Sequence, residues 1–556
     1  MKSPGFSHRL IFPAFVGLGV GLIVLTRWAL IAGESGAPDG DECVVGLMAK
    51  HWVERGEIPV FFWGQRYGFS LIEAGIAAAF FKLFGVSVAA LKAATVVLWT
   101  GGWLLMVLAM RRWVGTRAAC IAAILVALAP AWAIWSTKAR GGYVTGFALT
   151  SLAWLIAARI YYERRTLPIS CALLGAVTAV CYFCHPGWLL AVAPLVCWLL
   201  YRRRRAGEVA LVAGALVPVA GVLFVLAQRQ LASWAPPVFA APAGLHALPY
   251  IPYRAWVNLS GAYYYYERLP AGVFTITAAT LWAIAVVFAL VLLVRRPRGV
   301  TARGLARVVA VGLLAVLATN LAVTINWYAF RYLLPLAGLA VVPVSIVVGR
   351  CLRRDVQRAT CMPPLPPRER VGVRVEGNGS CMRRPASIRE TKAFPGPLRR
   401  GAAGVCLLAF VVFGALSFQE LRKLSYAGSV PVPDVTNMQA LKDLADGLVT
   451  RGYRHVYSTG STLQWTLMFV SREQIVARWQ KLDERVPGLP RAVDAALFAG
   501  ERVALVGRIT EWETLAVHLE RQGFPAMPVY TIRGHYFVLP DPPVEVIRAL
   551  NYELAP

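Results

Sequence analysis

The sequence predicts an all-α polytopic membrane domain of about eleven transmembrane helices, followed by a small C-terminal α/β domain on the exoplasmic side. Three observations carry this reading. Of 556 residues, 58% are hydrophobic and only 15% charged, and the mean hydropathy is +0.57. A soluble chain of this length has nowhere to hide so much apolar surface, so most of it must face lipid or other membrane helices. The basic residues fall in short clusters between apolar runs, which is how loops on the cytoplasmic side of a membrane are marked. The final stretch, 425–556, drops the long apolar runs and alternates strand-like with helix-like segments.

The apolar runs place spans near Arg9–Ala32, Val88–Met110, Ala118–Trp135, Tyr143–Tyr161, Pro168–Phe183, Trp188–Tyr201, Val209–Ala227, Ala271–Val294, Leu305–Ile325, Tyr332–Val348 and Gly401–Phe418. Lys2, His8 and Arg9 precede the first span and no small-residue cleavage site follows it, which reads as an uncleaved anchor. With the N-terminus in the cytoplasm, Arg111, Arg112, Arg117, Arg164, Arg165, the run Arg202–Arg205 and Arg295–Arg307 all fall inside. The loops holding Asp41, Lys138, Tyr263 and Trp327 carry fewer basic residues and fall outside. The net charge of +28 is thus a topology signal, and its scatter between spans argues against a nucleic-acid partner.

The loop 33–87 behind the first span is the most informative segment. Phe69–Phe84 is apolar enough to cross, yet counting it as a span would put every later arginine cluster on the wrong side; it reads as a re-entrant or surface-lying helix. Glu42–Arg55 is a second such helix, with Val45, Met48, Ala49, Trp52 and Val53 at helical spacing along one face, expected to lie on the membrane surface. Residues 1–350 form the membrane core on this reading. Residues 351–400, rich in Pro, Arg and Gly without an apolar period, form a basic, disordered cytoplasmic loop. Residues 401–424 are the last helix and linker, and 425–556 the exoplasmic α/β domain. No internal repeat is visible.

Asp41 and Glu42 lead the candidate residues. An Asp at 39 or 41 would cap the helix that follows, but capping does not need two adjacent carboxylates. Chemistry at the membrane face does, and a carboxylate beside apolar rings suits a general base. Gln65, Arg66 and Tyr67 follow on the same loop; the forked guanidinium of Arg66 suits phosphate, and its neighbours offer neutral hydrogen bonds. Lys138 and Arg140 in STKARGGY, with Tyr143 closing that segment, form a second cationic point; Arg331 in NWYAFRYLLP forms a third. The aromatic run Tyr263–Tyr266 reads as a sugar pocket or an interfacial belt. CYFCH at Cys181–His185 matches a haem-attachment spacing, but Cys181 belongs to a span and Pro186 follows at once, so His185 reads as a packed or pathway histidine. The remaining cysteines are scattered, without zinc spacing or a disulfide framework.

PDGDE, then GLMAKHWVERGEIPVFFWGQRYGFSLIEAGIAAAFFKLFGVSVAALK, resembles the first exoplasmic loop of bacterial membrane glycosyltransferases of the GT-C superfamily. These are relatives of protein O-mannosyltransferases and of the aminoarabinose transferase that modifies lipid A. KARGGY, CHPGW, RYLLPL and the α/β tail are similar to the same pattern, so the resemblance covers all but Cys351–Arg400. It implies a multi-pass protein of the bacterial inner membrane. Its donor would be a polyprenyl-phosphate sugar, and its acceptor an envelope lipid, glycan or protein. The family's acidic pair maps onto Asp41 and Glu42, and its phosphate-binding cation onto Arg66, although relatives often carry Lys in a differently spaced motif. Metal use varies within the superfamily, so no metal site is carried over and a divalent cation stays open.

Two rival readings have other signatures. A transporter or lipid-linked sugar flippase calls for charged or broken helices at mid-membrane and a repeat between halves; the sequence has few charges within its spans and no repeat. A non-catalytic scaffold for envelope assembly would keep its role without Asp41. The topology itself is testable by labelling single cysteines in intact cells. Cysteines placed in the Asp41 loop and in 425–556 should react on the same, outer side, and one in 351–400 only after permeabilisation. Tail and loop on opposite faces would mean a span count wrong by one.

Overall fold

The computed structural model describes residues 6–32, 38–163, 168–203, 205–229, 273–295, 300–322, 335, 339–349, 438–482, 485–486 and 488–555. Arg331, the run Tyr263–Tyr266, the loop Cys351–Arg400 and the expected span Gly401–Phe418 lie outside the described residues. Helix α1 (Phe6–Ala32) leads into α2 (Gly40–Arg55), α3 (Leu71–Phe84) and α4 (Val88–Val114). Next come α5 (Thr116–Ala127), the short α6 (Pro130–Trp135), α7 (Tyr143–Tyr162), α8 (Pro168–Cys184), α9 (Pro186–Arg203) and α10 (Ala206–Arg229). Helices α11 (Val273–Arg295), α12 (Val300–Ala322) and α13 (Leu339–Gly349) follow. Among the described residues, four helices (α1, α4, α7 and α10) are long and apolar enough to cross a membrane. Leu18, Val24, Leu25 and Trp28 of α1 and Val217, Val222 and Phe224 of α10 stay exposed, as a surface that meets lipid requires.

The span expected over Ala118–Trp135 is two helices, because Pro130 cannot continue the hydrogen-bond ladder and its ring crowds the preceding turn. The break has a partner. Arg27, the one charge in the first apolar stretch, is fully buried and donates Nη1 to the Ala127 carbonyl (2.5 Å) and Nε to Ser136 Oγ (3.0 Å). Its guanidinium also lies over the Trp99 ring at 4.8 Å. A charge buried among apolar helices is tolerated only when its donors are spent in this way.

The C-terminal region begins with α14 (Met438–Thr450) and builds a mixed sheet from β1 (His455–Ser458), β2 (Val476–Arg478), β3 (Val503–Arg508), β4 (Tyr530–Ile532) and β5 (Tyr536–Pro540). The order is β2-β1-β3-β5-β4, with β1 parallel to β2 and β3, and the β3–β5 and β5–β4 pairs antiparallel. Helices α15 (Leu463–Val470), α16 (Gly488–Phe498), α17 (Ile509–Arg521) and α18 (Val544–Ala549) cover it. The period of two along each strand sends alternate side chains to different cores. Tyr457, Val503, Leu505, Phe537 and Leu539 pack with α16 and α18. Val456, Ala504, Val506 and Val538 belong to a second core that includes Leu441 and Leu444 of α14 and Trp465, Met468 and Phe469 of α15.

That second core does not stop at the C-terminal region. Val45, Met48 and Ala49 of α2 and Ala74, Ala77 and Phe81 of α3 are part of it. The apolar face that periodicity placed on the membrane surface is therefore buried against α15 and α3, since protein side chains there offer closer packing than lipid. At the start of α2 the approach is very close: a Cβ on Gly40 would stand 2.8 Å from Thr462 Cα, so no larger residue fits.

A polar clamp closes the same interface. Glu473, just beyond α15, accepts from Lys50 Nζ (2.6 Å) and shares a 2.7 Å hydrogen bond with His51 Nε2. Arg472 and Glu473 hold φ of 54° and 63°, a left-handed conformation costing on the order of 1 kcal/mol per residue, which the clamp offsets. Burial raises the Glu473 pKa, but the bonds from His51 and Lys50 outweigh it and hold the carboxyl down at about 2, against an ordinary 4.5. A carboxyl depressed on folding stabilises fully above its unfolded pKa and loses that contribution as pH falls through the folded one. The clamp is thus complete above about pH 4.5 and lost between there and about pH 2, a contribution of about 1–2 kcal/mol once solvent screening of this partly exposed group is counted. Glu473→Gln should weaken the docked C-terminal region by a similar amount at pH 7 and flatten its acid sensitivity below pH 4.5, read by limited proteolysis and thermal unfolding in detergent. Identical acid profiles for mutant and wild type would remove Glu473 as the cause.

Candidate active site

The N-terminus of α2 gathers the acidic residues of the loop, and each meets a cation from a different part of the chain. Asp39, not Asp41, is the cap. Its Oδ1 accepts from the Glu42 backbone N–H (3.1 Å), while Glu42 Oε2 accepts from the Asp39 backbone N–H (3.0 Å), a reciprocal pairing that satisfies two donors at the helix start. Glu42 is fully buried, and its other oxygen accepts from Lys92 Nζ at 2.7 Å, in the second turn of α4. Asp39 Oδ2 accepts from Lys138 Nζ (2.9 Å) and from Arg140 through Nε (2.9 Å) and Nη2. Burial works against the Asp39 carboxylate, but the Arg140 and Lys138 charges prevail and hold it well below the usual range. The same burial lowers the pKa of Lys138, with Asp39 opposing the shift.

Asp41 faces outward from the same helix turn, with about a quarter of its side chain exposed, and its Oδ1 accepts from Arg485 Nη2 at 3.0 Å. Arg485 comes from the loop after β2. Its guanidinium lies over the Phe62 ring at 4.8 Å, and its side chain fills the space at Gly64, where φ is 71° and an added Cβ would stand 2.7 Å from Arg485 Cγ, so that both call for glycine. Asp39, Asp41 and Glu42 thus face Lys92, Lys138, Arg140 and Arg485: three carboxylates against four cations.

The segment Phe61–Phe69 presents Gln65, Arg66 and Tyr67. It is shaped by Phe62 N–H donating to the Gly68 carbonyl (2.9 Å), and it is tied to the end of α8 by Gly68 and Phe69 N–H donating to the Phe183 carbonyl (2.8 and 3.0 Å). Tyr67 meets the His185 ring edge-on at 6.3 Å, and His185 stacks on Tyr143 at 5.4 Å. Tyr143 in turn packs on Trp135, over which Arg140 lies at 5.1 Å. A continuous series of contacts therefore runs from Asp39 through Arg140, Trp135, Tyr143 and His185 to Tyr67. His185 Nδ1 accepts from the Gly187 N–H at 3.1 Å, so Nε2 is the nitrogen that carries the proton in the neutral ring. Arg66 is exposed, with no ion pair among the described residues.

The start of α7 has its own support: Glu73 Oε1, buried on α3, accepts from the backbone N–H groups of Gly142, Val144 and Thr145, each at 3.1 Å. Sequence reasoning brought Asp41, Glu42, Tyr67, Lys138, Arg140, Tyr143 and His185 into view, and the fold gathers them. It missed Asp39 as the hub for Lys138 and Arg140, and it missed Lys92 and Arg485 as the partners of Glu42 and Asp41. Lys92 had a signal, being a lone charge in the first half of a long apolar helix, where an ionisable side chain needs a partner. Arg485 had none. Among the described residues no group of three or more His, Cys, Asp or Glu side chains is placed to hold a metal ion.

No protein-family model and no curated protein matches the chain. Solved structures do. ArnT from Cupriavidus metallidurans bound to undecaprenyl phosphate superimposes with a TM-score of 0.53 at 13% identity, over 100% of each chain. ArnT from the same organism in the apo state gives a TM-score of 0.54 at 14% identity, over 98% of this chain and 99% of that one. The agreement runs through the helical part and the C-terminal sheet alike, and at such low identity it speaks for the fold. The chain thus shares the fold of these ArnT structures, the fold expected from its resemblance to the GT-C membrane glycosyltransferases.

Proposed function

We propose that this protein is a membrane glycosyltransferase that moves a sugar from a polyprenyl-phosphate carrier to a hydroxyl acceptor on the exoplasmic side, with inversion at the anomeric carbon. The observation that carries this reading is the partly exposed Asp41 carboxylate at the head of α2, in a site where cations outnumber carboxylates. The shared fold adds support, since one solved relative in fold was crystallised with undecaprenyl phosphate. Envelope lipid, glycan and protein hydroxyls all remain acceptors that such a site could serve.

Asp41 takes the proton of the acceptor hydroxyl as that oxygen forms its bond to the anomeric carbon. The bond from that carbon to the carrier phosphate oxygen breaks, and its electron pair leaves with the phosphate. A single displacement with one base inverts the centre. The leaving group is a stable anion, so what it needs is positive charge held in place, not a strong acid. Arg66, which is exposed, and Arg485 beside Asp41 supply that charge; the Arg485 fork passes from Asp41 to the phosphate as the carboxylate takes up the proton. Glu42 acts by positioning: it fixes the first turn of α2 and keeps Lys92 beneath it.

Asp41→Asn preserves size and removes basicity. Insertion should be normal and turnover should fall by about two to four orders of magnitude. Near-normal turnover would sink the base assignment. Glu42→Gln should cost less in turnover than Asp41→Asn and should lower thermal stability, the mark of a residue that positions.

The phosphate contacts separate by titrating the polyprenyl-phosphate sugar at fixed acceptor. Arg66→Lys keeps the charge but loses the fork and should retain partial activity, whereas Arg66→Ala should lose most of it. Arg485→Gln should raise the donor KM while leaving the acceptor KM near wild type. An Arg66→Ala enzyme that behaves as wild type, while a variant at Arg331 fails, would place the phosphate under the later loop.

A further inference from the structure

A second polar crevice lies in the C-terminal region, at the carboxyl ends of the parallel strands. Its volume is about 320 Å³, and its walls include Thr459, Gln480, Thr510, Glu511, Thr514 and Tyr552. Thr459 directly follows β1, and Thr510 and Glu511 open α17 directly after β3. These two strands are neighbours, yet the chain leaves β1 towards β2 on one side and leaves β3 towards β4 and β5 on the other. The crevice therefore stands where successive connections diverge, the place at which open α/β sheets leave room for a ligand between loops.

The chemistry of the walls selects the class of ligand. A bare helix N-terminus would attract phosphate or carboxylate. Here Glu511 occupies that position: its Oε2 accepts from the Arg508 backbone N–H (3.3 Å) and from Thr459 Oγ1 (2.5 Å). The carboxylate takes up the helix's positive end and repels anions. Among the described residues no Lys or Arg lines the crevice; the remaining polar groups are hydroxyls and an amide, with Leu515, Leu550 and the Tyr552 ring as apolar wall. A neutral, hydroxyl-rich molecule with apolar ring faces fits that mixture. Tyr552 itself is fixed, donating its hydroxyl to the Ser458 carbonyl at 2.8 Å.

The crevice and the acidic site share their loops. The loop after β1 starts with Thr459 in the crevice and reaches Thr462 against Gly40, beside Asp41. The loop after β2 passes Gln480 in the crevice and reaches Arg485 on Asp41. Trp479 Nε1 donates to the Thr459 carbonyl at 3.2 Å and ties the two loops together. We infer that this crevice binds a neutral glycan portion of the acceptor and holds it at the carboxyl ends of the parallel strands, whose loops reach Asp41. This inference rests on the transferase reading given above and makes that acceptor carbohydrate-bearing.

The test uses the full-length protein in nanodiscs and saturation-transfer NMR with methyl glycosides of neutral hexoses, the matching uronates, and hexose phosphates. Thr510→Trp and Thr514→Trp fill the crevice from exposed rim positions, so two independent variants guard against misfolding. Neutral glycosides should show transfer with wild type, reduced at least about fivefold in both variants, while uronates and phosphates show none. With a glycan acceptor the variants should raise the acceptor KM about tenfold at unchanged kcat and unchanged donor KM. Absence of binding, equal binding in the variants, or preference for the anionic sugars overturns the inference. Failure of the transferase reading shows separately, as turnover in Asp41→Asn, and leaves the NMR binding result standing on its own.

Discussion

The docking of α2 onto the C-terminal sheet is the constraint on which the rest depends. Helix α2 carries the acidic residues on its first turn and an apolar face along its length, and that face is closed by α15 and α3 rather than by solvent or lipid. Without α15, Val45 and Met48 would lose their cover, and burial of such side chains is worth roughly 1.5–3 kcal/mol each. Without α2, one face of the sheet and its helices would lose part of its core in turn. The apolar contact sets the position of α2, and the Lys50–Glu473–His51 clamp fixes its azimuth.

That positioning decides the electrostatics. Three carboxylates within one helical turn repel one another, and their clustering is tolerable only because each is matched from elsewhere: Asp39 by Lys138 and Arg140, Glu42 by Lys92, Asp41 by Arg485. The matches are unequal in depth. Glu42 and Lys92 are buried and mutually satisfied, so they act as a fixed foundation; removal of either would leave the other as an uncompensated charge. Asp41 and Arg485 stand nearer the surface, where the guanidinium can exchange one oxyanion for another at little cost in desolvation. On the proposed mechanism this difference divides the neighbouring acids into one that holds the helix and one that reacts.

Because Arg485 belongs to the C-terminal region, the ion pair at Asp41 forms only when that region is docked, and on the proposed mechanism this completes the reactive end of the site. The same carboxyl end of the sheet carries the crevice around Glu511, so the loop that supplies a cation to Asp41 also frames a second polar space. A tail that contributes side chains to the site does more than anchor the protein, and this separates the proposed reading from that of a passive scaffold.

The sequence by itself determined the class of protein, the two helices of the first loop, the alternating strands and helices of the tail, and the position of the acidic cluster. Each of these rests on local physical properties: apolar length, period 3.6 or 2, and the charge of neighbouring residues. It also showed that Tyr67, Tyr143 and His185 were worth attention. Only the tertiary structure decided which cation meets which carboxylate. Asp39 rather than Asp41 caps the helix because the helix begins at Gly40, and Lys138 and Arg140 turn to Asp39 through the approach of segments about a hundred residues apart. Arg485 meets Asp41 across 444 positions of chain, and no local pattern marks a partner at that distance. The apolar face of α2 was legible as a face, but what covers it was not, since lipid and α15 make the same demand on the sequence and differ only in where the fold brings them.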